Sequence, residues 1–259
     1  MTCPSADHDR DLIRDAARAA GEVLAGLFER GARSWEKSKN NPVTEADLAS
    51  EKALEAVLRT ARPDYGWLSE ESPDDGSRLT ARRSFVIDPM DGTRAFIKRR
   101  PHFTVSIGVV EAGRPIAGAI YNPLTDEMFD AAFGAGAALN GKPISVTGQS
   151  GLDGAKLLGD PHIFRSLAAE GATLESRNSI AYRIALVACG QFDGAVSPRP
   201  KSDWDLAAAD IVIHEAGGLL TDRNGLPYRY NTDTVRCAPP LAAGPGLHAL
   251  LRDRLQNSV

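Results

Sequence analysis

Residues 86–96 read VIDPMDGTRAF. An apolar run, Phe85-Val86-Ile87, reaches Asp88; Asp91 follows, with Gly92 and Thr93 directly behind it. The pattern predicts a strand that ends at Asp88, an exit stiffened by Pro89, and a turn that returns Asp91 to its side. Two carboxylates that close repel each other unless a cation lies between them. Gly92 permits an unusual backbone angle or a close approach. If a short helix starts here, the N–H groups of Gly92, Thr93 and Arg94 are free to hold a phosphate. The residues thus fit a divalent metal on Asp88 and Asp91 beside a phosphate cradle. An all-oxygen ligand set favours Mg²⁺ or Mn²⁺ over zinc. The same D-x-x-D-G-T also fits an Asp-Gly turn with a helix cap.

Three other acidic positions bear on that choice. Glu70-Glu71 lie just past a strand candidate, where they could face the same edge or form a solvated loop. Asp205, in KSDWDLAAADIVIHEAGG, stands at the start of an apolar helix, as Asp47 does in PVTEAD. Each of those two is also a favourable charge at a helix N-terminus. Singly they are weak signals. Together, all at element ends, they could build a site for several metals.

The elements that must position these acids read as follows. A helix spans 7 to about 31, with Leu12, Ile13, Ala16, Ala20, Val23, Leu24 and Leu27 at helical spacing and Gly31 to end it. A polar stretch leads to Thr44, which starts a second helix with Asp47 placed as in a capping box. Strands are expected at 65–68 and 84–87. FTVSIGVV and PIAGAIYNP form two strands around a turn, and DEMFDAAFG a third. A small-residue stretch, 146–155, separates two halves, 1–148 and 149–259. The second half alternates: strand 156–158, helix near 161–169, helix 179–189, strand 192–196, helix 204–216 and strand 218–221. The layout is a mixed sheet followed by an alternating α/β half.

Bulk properties narrow the function classes. The chain has 259 residues, 42% hydrophobic and 25% charged, with a net charge of −4, so no basic surface for nucleic acid is expected. The N-terminal stretch is polar and acidic, without the apolar segment of a signal peptide. No run approaches the roughly 20 apolar residues of a membrane span. Cys3, Cys189 and Cys237 form no C-x-x-C and no complete disulfide set, so a reducing cytoplasm is expected. The histidines are scattered and contain no H-E-x-x-H.

At this point the residues resemble the inositol monophosphatase family of magnesium-dependent, lithium-sensitive phosphatases. VIDPMDGTRAF looks like its first signature and SDWDLAAADIVIHEAGG like its second. PVTEAD and WLSEES match the two shorter motifs that precede them, in order, over about 35–225. The resemblance implies a single α+β domain, a layered αβαβα sandwich shared with fructose-1,6-bisphosphatase. It implies a first metal on Glu70, Asp88 and the carbonyl of Met90, and a second on Asp88, Asp91 and Asp205. Glu70 would share a third, weaker ion, making two or three Mg²⁺, with Mn²⁺ as a substitute. A metal-bound water would be the nucleophile, oriented or deprotonated by Asp47 and Thr93 with Glu70 nearby. The amides of Gly92 and Thr93 would hold the phosphate. The partner is a small phosphorylated substrate, and the protein a monomer or homodimer.

Within the family, two stretches are most similar to 3′(2′),5′-bisphosphate nucleotidases of sulfur assimilation: DGTRAFIKRRPHFTV and SPRPKSDWD. Inositol phosphatases usually carry a glutamate shortly before the W-D pair. Here Arg199 and Lys201 stand instead, with Asp203 as the acid, and Lys98, Arg99 and Arg100 add charge after the first signature. Cations suit a substrate with a second phosphate. Ser179 joins Arg199 and Lys201 as a substrate-binding candidate, although Asn178-Ser179 replaces the usual Gly-Ser. The alternatives are inositol 1-phosphatase, histidinol phosphatase, or a non-catalytic metal- or phosphate-binding scaffold. A haloacid dehalogenase reading fails on spacing: that class needs D-x-D-G-T after its first strand.

Overall fold

The computed structural model describes residues 5–39 and 41–256. Cys3 lies outside them, while Cys189 and Cys237 are free thiols. Helix α1 (Ala6–Arg30) starts at Ser5, whose hydroxyl accepts from the His8 N–H, and buries the stripe Ile13, Ala16, Ala17, Ala20 and Leu24. A hairpin follows, β1 (Ser34–Ser38) with β2 (Asn41–Thr44). Every β1 residue is exposed, so no apolar alternation announced it in a stretch expected to be merely polar. Helix α2 (Glu45–Ala61) begins at Thr44 with the expected capping box to Asp47.

Next come β3 (Gly66–Ser69), β4 (Arg83–Asp91), the short α3 (Thr93–Ile97), β5 (Thr104–Glu111), β6 (Arg114–Asn122), β7 (Glu127–Ala132), β8 (Gly136–Leu139) and β9 (Lys142–Pro143). The seven strands β3 to β9 form one sheet in sequence order, with β3 parallel to β4 and all other neighbours antiparallel. Beyond a stretch without helix or strand at 144–155 lie β10 (Lys156–Leu158), α4 (Arg165–Ala169), β11 (Thr173–Glu175), α5 (Ile180–Ala188), β12 (Gly194–Val196) and β13 (Lys201–Ser202). The chain continues through α6 (Asp203–Glu215), β14 (Leu219–Asp222), β15 (Arg236–Cys237), β16 (Pro240–Ala243) and α7 (Pro245–Gln256). A second sheet has the order β11-β10-β12-β16-β14.

Five layers result. Helices α1 and α2 cover one face of the large sheet; α5 and α6 lie between the two sheets; α7 packs on the outer side of the second. Three apolar clusters fill the spaces. Strand alternation sorts the residues: Phe85 and Ile87 face α1 and α2, whereas Val86 faces α6. This is the layered αβαβα architecture. Helix α6 lies very close to the large sheet. A Cβ on Gly118 would sit 2.6 Å from the Ala208 carbonyl, and one on Gly108 3.1 Å from the Ala207 Cβ. Small residues on both partners permit that approach, and it fixes where the start of α6 delivers Asp205.

The structure corrects two expectations. The helix expected near 161–169 is only Arg165–Ala169, because the Asp160 carbonyl and side chain organise a turn first, accepting from Ile163, Phe164 and His162. Strand β4 does not end at Asp88 but runs on to Asp91.

Candidate active site

The strand correction explains the paired carboxylates. In a regular strand, residues three apart point to opposite faces. On β4, Asp88 pairs with Ser106 and Asp91 with Thr104, so three steps on one strand oppose two on the other. That one-residue bulge re-aims the strand and brings both side chains to the α6 side. The Pro89 carbonyl, tied by the Ser50 hydroxyl at 2.8 Å, anchors the bulge to α2. One carboxylate oxygen from each of Asp88, Asp91 and Asp205 lies within 4.8 Å of the others.

Each acid is held by one oxygen. Asp88 Oδ1 accepts from the Met90 N–H at 3.0 Å. Asp91 Oδ2 accepts from Ser179 Oγ at 2.6 Å and from the Ala181 N–H at 2.7 Å. Asp205 Oδ2 accepts from the Ser202 N–H at 2.6 Å, as a side chain in the first turn of α6 can. Carboxylates held in fixed orientation by such hydrogen bonds are what a cation site requires.

Glu70 follows β3, its N–H bonded to the Ile87 carbonyl at 3.2 Å, which sets it beside Asp88. Burial, then Asp205 and Glu71, push its carboxyl up to about 7. Burial, with Glu70, Asp91 and Asp205, raises Asp88 well above the ordinary carboxylate range. Asp91 is pushed up to about 6 by burial and by Asp205, against the lowering pull of Lys201 and its hydrogen bonds. Neighbouring Glu71 is ion-paired to Lys37 of β1.

Asp47 is 2% exposed, and its Oδ2 is occupied by the N–H and hydroxyl of Thr44. Its Oδ1 accepts from the Thr93 hydroxyl at 3.0 Å. The Met90 carbonyl lies farther from that hydroxyl, at 3.3 Å. A hydroxyl has one proton, so the shorter bond to Asp47 leaves the Met90 carbonyl available to a cation. Gly92 takes φ +109° and caps α3, and its carbonyl accepts from Ala95 and Phe96. The amides of Gly92 and Thr93 precede those first intrahelical bonds.

Glu70, Asp88, Met90, Asp91, Gly92, Thr93 and Asp205 line a cavity of about 220 Å³ together with Asn41, Pro42, Arg94, Asn178 and Lys201, and Asp47 stands behind Thr93, outside that lining. Of the substrate candidates, only Lys201 is in that lining. Arg199 is exposed and outside it. Ser179 is fully buried behind Asp91, where its hydroxyl caps α5. Arg99 is spent elsewhere, its guanidinium 3.9 Å over the Phe28 ring. Arg94, expected only to offer its N–H to phosphate, and Asn178 are lining residues that had no expected substrate role. Their signal was adjacency, one following D-G-T and the other preceding Ser179.

Two outcomes follow from this geometry. A Cβ at Gly92 would lie 2.6 Å from the His102 carbonyl and 3.0 Å from the Phe103 Cα, at a backbone angle side chains avoid. Gly92→Ala should therefore cost about 1–3 kcal/mol, read as a lower urea midpoint. An unchanged midpoint would mean that the 102–103 segment gives way freely.

The second concerns pH. For Asp91 the folded value of about 6 lies above the unfolded value of about 3.9, so ionisation favours the unfolded chain. In EDTA, stability should fall as pH rises from about 4 to about 6 and then level off, at a cost on the order of 3 kcal/mol for this group. Adding Mg²⁺ at pH 7.5 or so should reverse the loss. Thermal midpoints of the wild type and Asp91→Asn, with and without EDTA, test this. A wild-type slope no steeper than the variant's would mean that protein cations already neutralise the acid.

Comparison with known proteins agrees with the site. The sequence model of the Inositol monophosphatase family matches residues 7–256. The Nus factor SuhB of Pasteurella multocida is 37% identical over 227 residues, covering 81% of this chain and 83% of its own. Inositol monophosphatase 2 of Solanum lycopersicum is 33% identical over 231 residues, covering 83% and 87%. The crystal structure of the extragenic suppressor protein suhB from Bartonella henselae superposes with a TM-score of 0.87 at 29% identity, over 96% of this chain and 98% of the other. With its acids gathered at one bulge and one helix start, and a family match running almost its full length, the chain belongs to the inositol monophosphatase family.

Proposed function

We propose that the protein is a Mg²⁺-dependent phosphomonoesterase whose substrate is a 3′(2′),5′-bisphosphate nucleotide, adenosine 3′,5′-bisphosphate giving AMP. The phosphomonoesterase class follows from the family and from the observation that carries the reading: three carboxylate oxygens from β4 and α6 within 4.8 Å of one another. The donor set fits a hard divalent cation. It is all oxygen, buried at Asp88 and Asp91, and mutually repulsive without added positive charge. Glu70, Asp88 and the Met90 carbonyl would hold one ion and Asp88, Asp91 and Asp205 a second, with Glu70 sharing a third. Bound there, Mg²⁺ supplies an acidified water and charge neutralisation at the phosphate.

The chain's own groups do the rest. The Gly92 and Thr93 amides hold phosphate oxygens. Thr93, its proton directed at Asp47, offers a lone pair that orients the attacking water, and Asp47 takes the proton through it. Displacement is in line, without a phosphoenzyme. The two halves, 1–148 and 149–259, act as one unit, the second contributing Asp205.

Support for the bisphosphate comes from Lys201 and Arg94 in the cavity lining. A second anionic group on the leaving side meets cations there instead of the acid that inositol-specific relatives carry. The deciding experiment compares kcat/KM for adenosine 3′,5′-bisphosphate, inositol 1-phosphate and histidinol phosphate. A preference for either monophosphate replaces the nucleotide reading with that ester. Failure to release phosphate from any of them with Mg²⁺ would favour a non-catalytic scaffold. Lithium should inhibit at millimolar levels by displacing one Mg²⁺, and full activity in 100 mM or so LiCl at limiting Mg²⁺ counts against the metal assignment.

A further inference from the structure

A second cavity, of about 580 Å³, opens away from the acidic site between the start of β6, the β7–β8 turn and the middle of α6. That volume is in the range of small-molecule sites. Its walls are mostly apolar: Pro115, Ile116, Phe133, Ile211 and Pro227. Phe133 stands on the rim at 72% exposure, a large cost in water for a ring with no fold partner there.

The polar feature is Asp210, which lines the cavity yet is only 7% exposed. Its Oδ2 accepts from the Tyr230 hydroxyl at 2.8 Å. Among the described residues its Oδ1 has no hydrogen-bond partner. The side chain is largely withdrawn from water, and a donor entering the cavity would pair with Oδ1. Arg114 also lines the cavity, beside His214, so a cationic ligand would meet the like charge of the guanidinium. A neutral N–H donor would not.

We propose that this cavity is a second ligand site, for a flat neutral heteroaromatic molecule with an N–H donor, its ring between Phe133 and Ile211 and its N–H on Asp210 Oδ1. The seat is distinct from the acidic cavity. Asp210 lies five residues beyond Asp205 on α6, about 7.5 Å along the helix axis. The proposal does not depend on which phosphate ester is hydrolysed.

Indole and its isostere benzofuran, which has no N–H, are the probes, titrated calorimetrically into the full chain. Indole should bind one site with a Kd on the order of 1 mM, and benzofuran at least tenfold more weakly. In Asp210→Asn, the amide oxygen can keep the Tyr230 hydroxyl and turn its NH₂ into the cavity. The preference should then reverse toward benzofuran, whose oxygen accepts. His214→Trp, at an exposed position, should fill the cavity and abolish indole binding. Circular dichroism checks that each variant is folded. If Asp210→Asn does not fold, the probe pair on the wild type and His214→Trp still decide. Equal affinity of the two probes for the wild type overturns the proposal. So does the lack of saturable indole binding up to about 10 mM, or indole binding that survives His214→Trp.

Discussion

Asp91→Asn is expected to lower kcat at least a thousandfold, about 4 kcal/mol of barrier, while leaving the fold intact. The reason is both charge and geometry. Asp91 provides one of the three clustered carboxylates, and its Oδ2 accepts from both Ser179 and Ala181. An asparagine that keeps those two bonds must place its NH₂ at the position of the second oxygen. A donor then stands in a position that requires an acceptor, and the site loses one negative charge. Because the variant also removes repulsion from a crowded acidic cluster, its thermal midpoint in EDTA should exceed that of the wild type. Activity and midpoint thus move in opposite directions, a pattern that simple misfolding does not produce. Retention of more than about a tenth of wild-type kcat, a loss below roughly 1.4 kcal/mol, would show that Asp91 is not a central ligand.

Lys201→Ala is expected to cost about 2–4 kcal/mol in kcat/KM for adenosine 3′,5′-bisphosphate, the scale of a charge-assisted hydrogen bond to a phosphate. Lys201 lines the acidic cavity from β13, three residues after Pro198 and four before Asp205. Inositol 1-phosphate offers only the reacting phosphate, so its kcat/KM should fall by far less. The quantity to measure is the ratio between the two substrates, in which general damage to the site cancels. Arg199 serves as the control. It shares the sequence context but is exposed outside the lining, and Arg199→Ala should leave the ratio unchanged. An equal drop for both substrates in Lys201→Ala would mean that the lysine only offsets the charge of Asp91 and Asp205. The second phosphate would then have to be read by Arg94 or by nothing in this cavity.

Much of the frame was legible in the sequence because it depends on local chemistry. The apolar periodicity of 7–31, the capping box at Thr44 and Asp47, and the alternation in FTVSIGVV each specify an element through neighbours a few residues away. The acids gathered at the site, Asp47, Glu70, Asp88, Asp91 and Asp205, were marked by position at element ends. Their motifs resembled one family, and the match over residues 7–256 bears that resemblance out. Elements with few local signals went unread. Strand β1 is exposed along its whole length, and the closing strand β16 and helix α7 lie in a stretch where nothing was assigned.

What only the tertiary structure decided concerns direction. Sequence spacing put Asp91 three residues after Asp88. Whether the two shared a face depended on a bulge whose register is set by Ser106 and Thr104 on the neighbouring strand. The same holds for the basic residues. Arg199 and Lys201 are equivalent in a charge count, but the β13–β15 pairing takes only Lys201 to the cavity, while Arg99 turns onto Phe28. Ser179, next to a lining residue, is drawn behind Asp91 because its hydroxyl caps α5. Residue type and spacing determine which chemistry a chain can perform. Which atoms face the same few cubic ångströms is settled by strand register and by the close seating of α6 on Gly108 and Gly118, contacts between residues about a hundred positions apart.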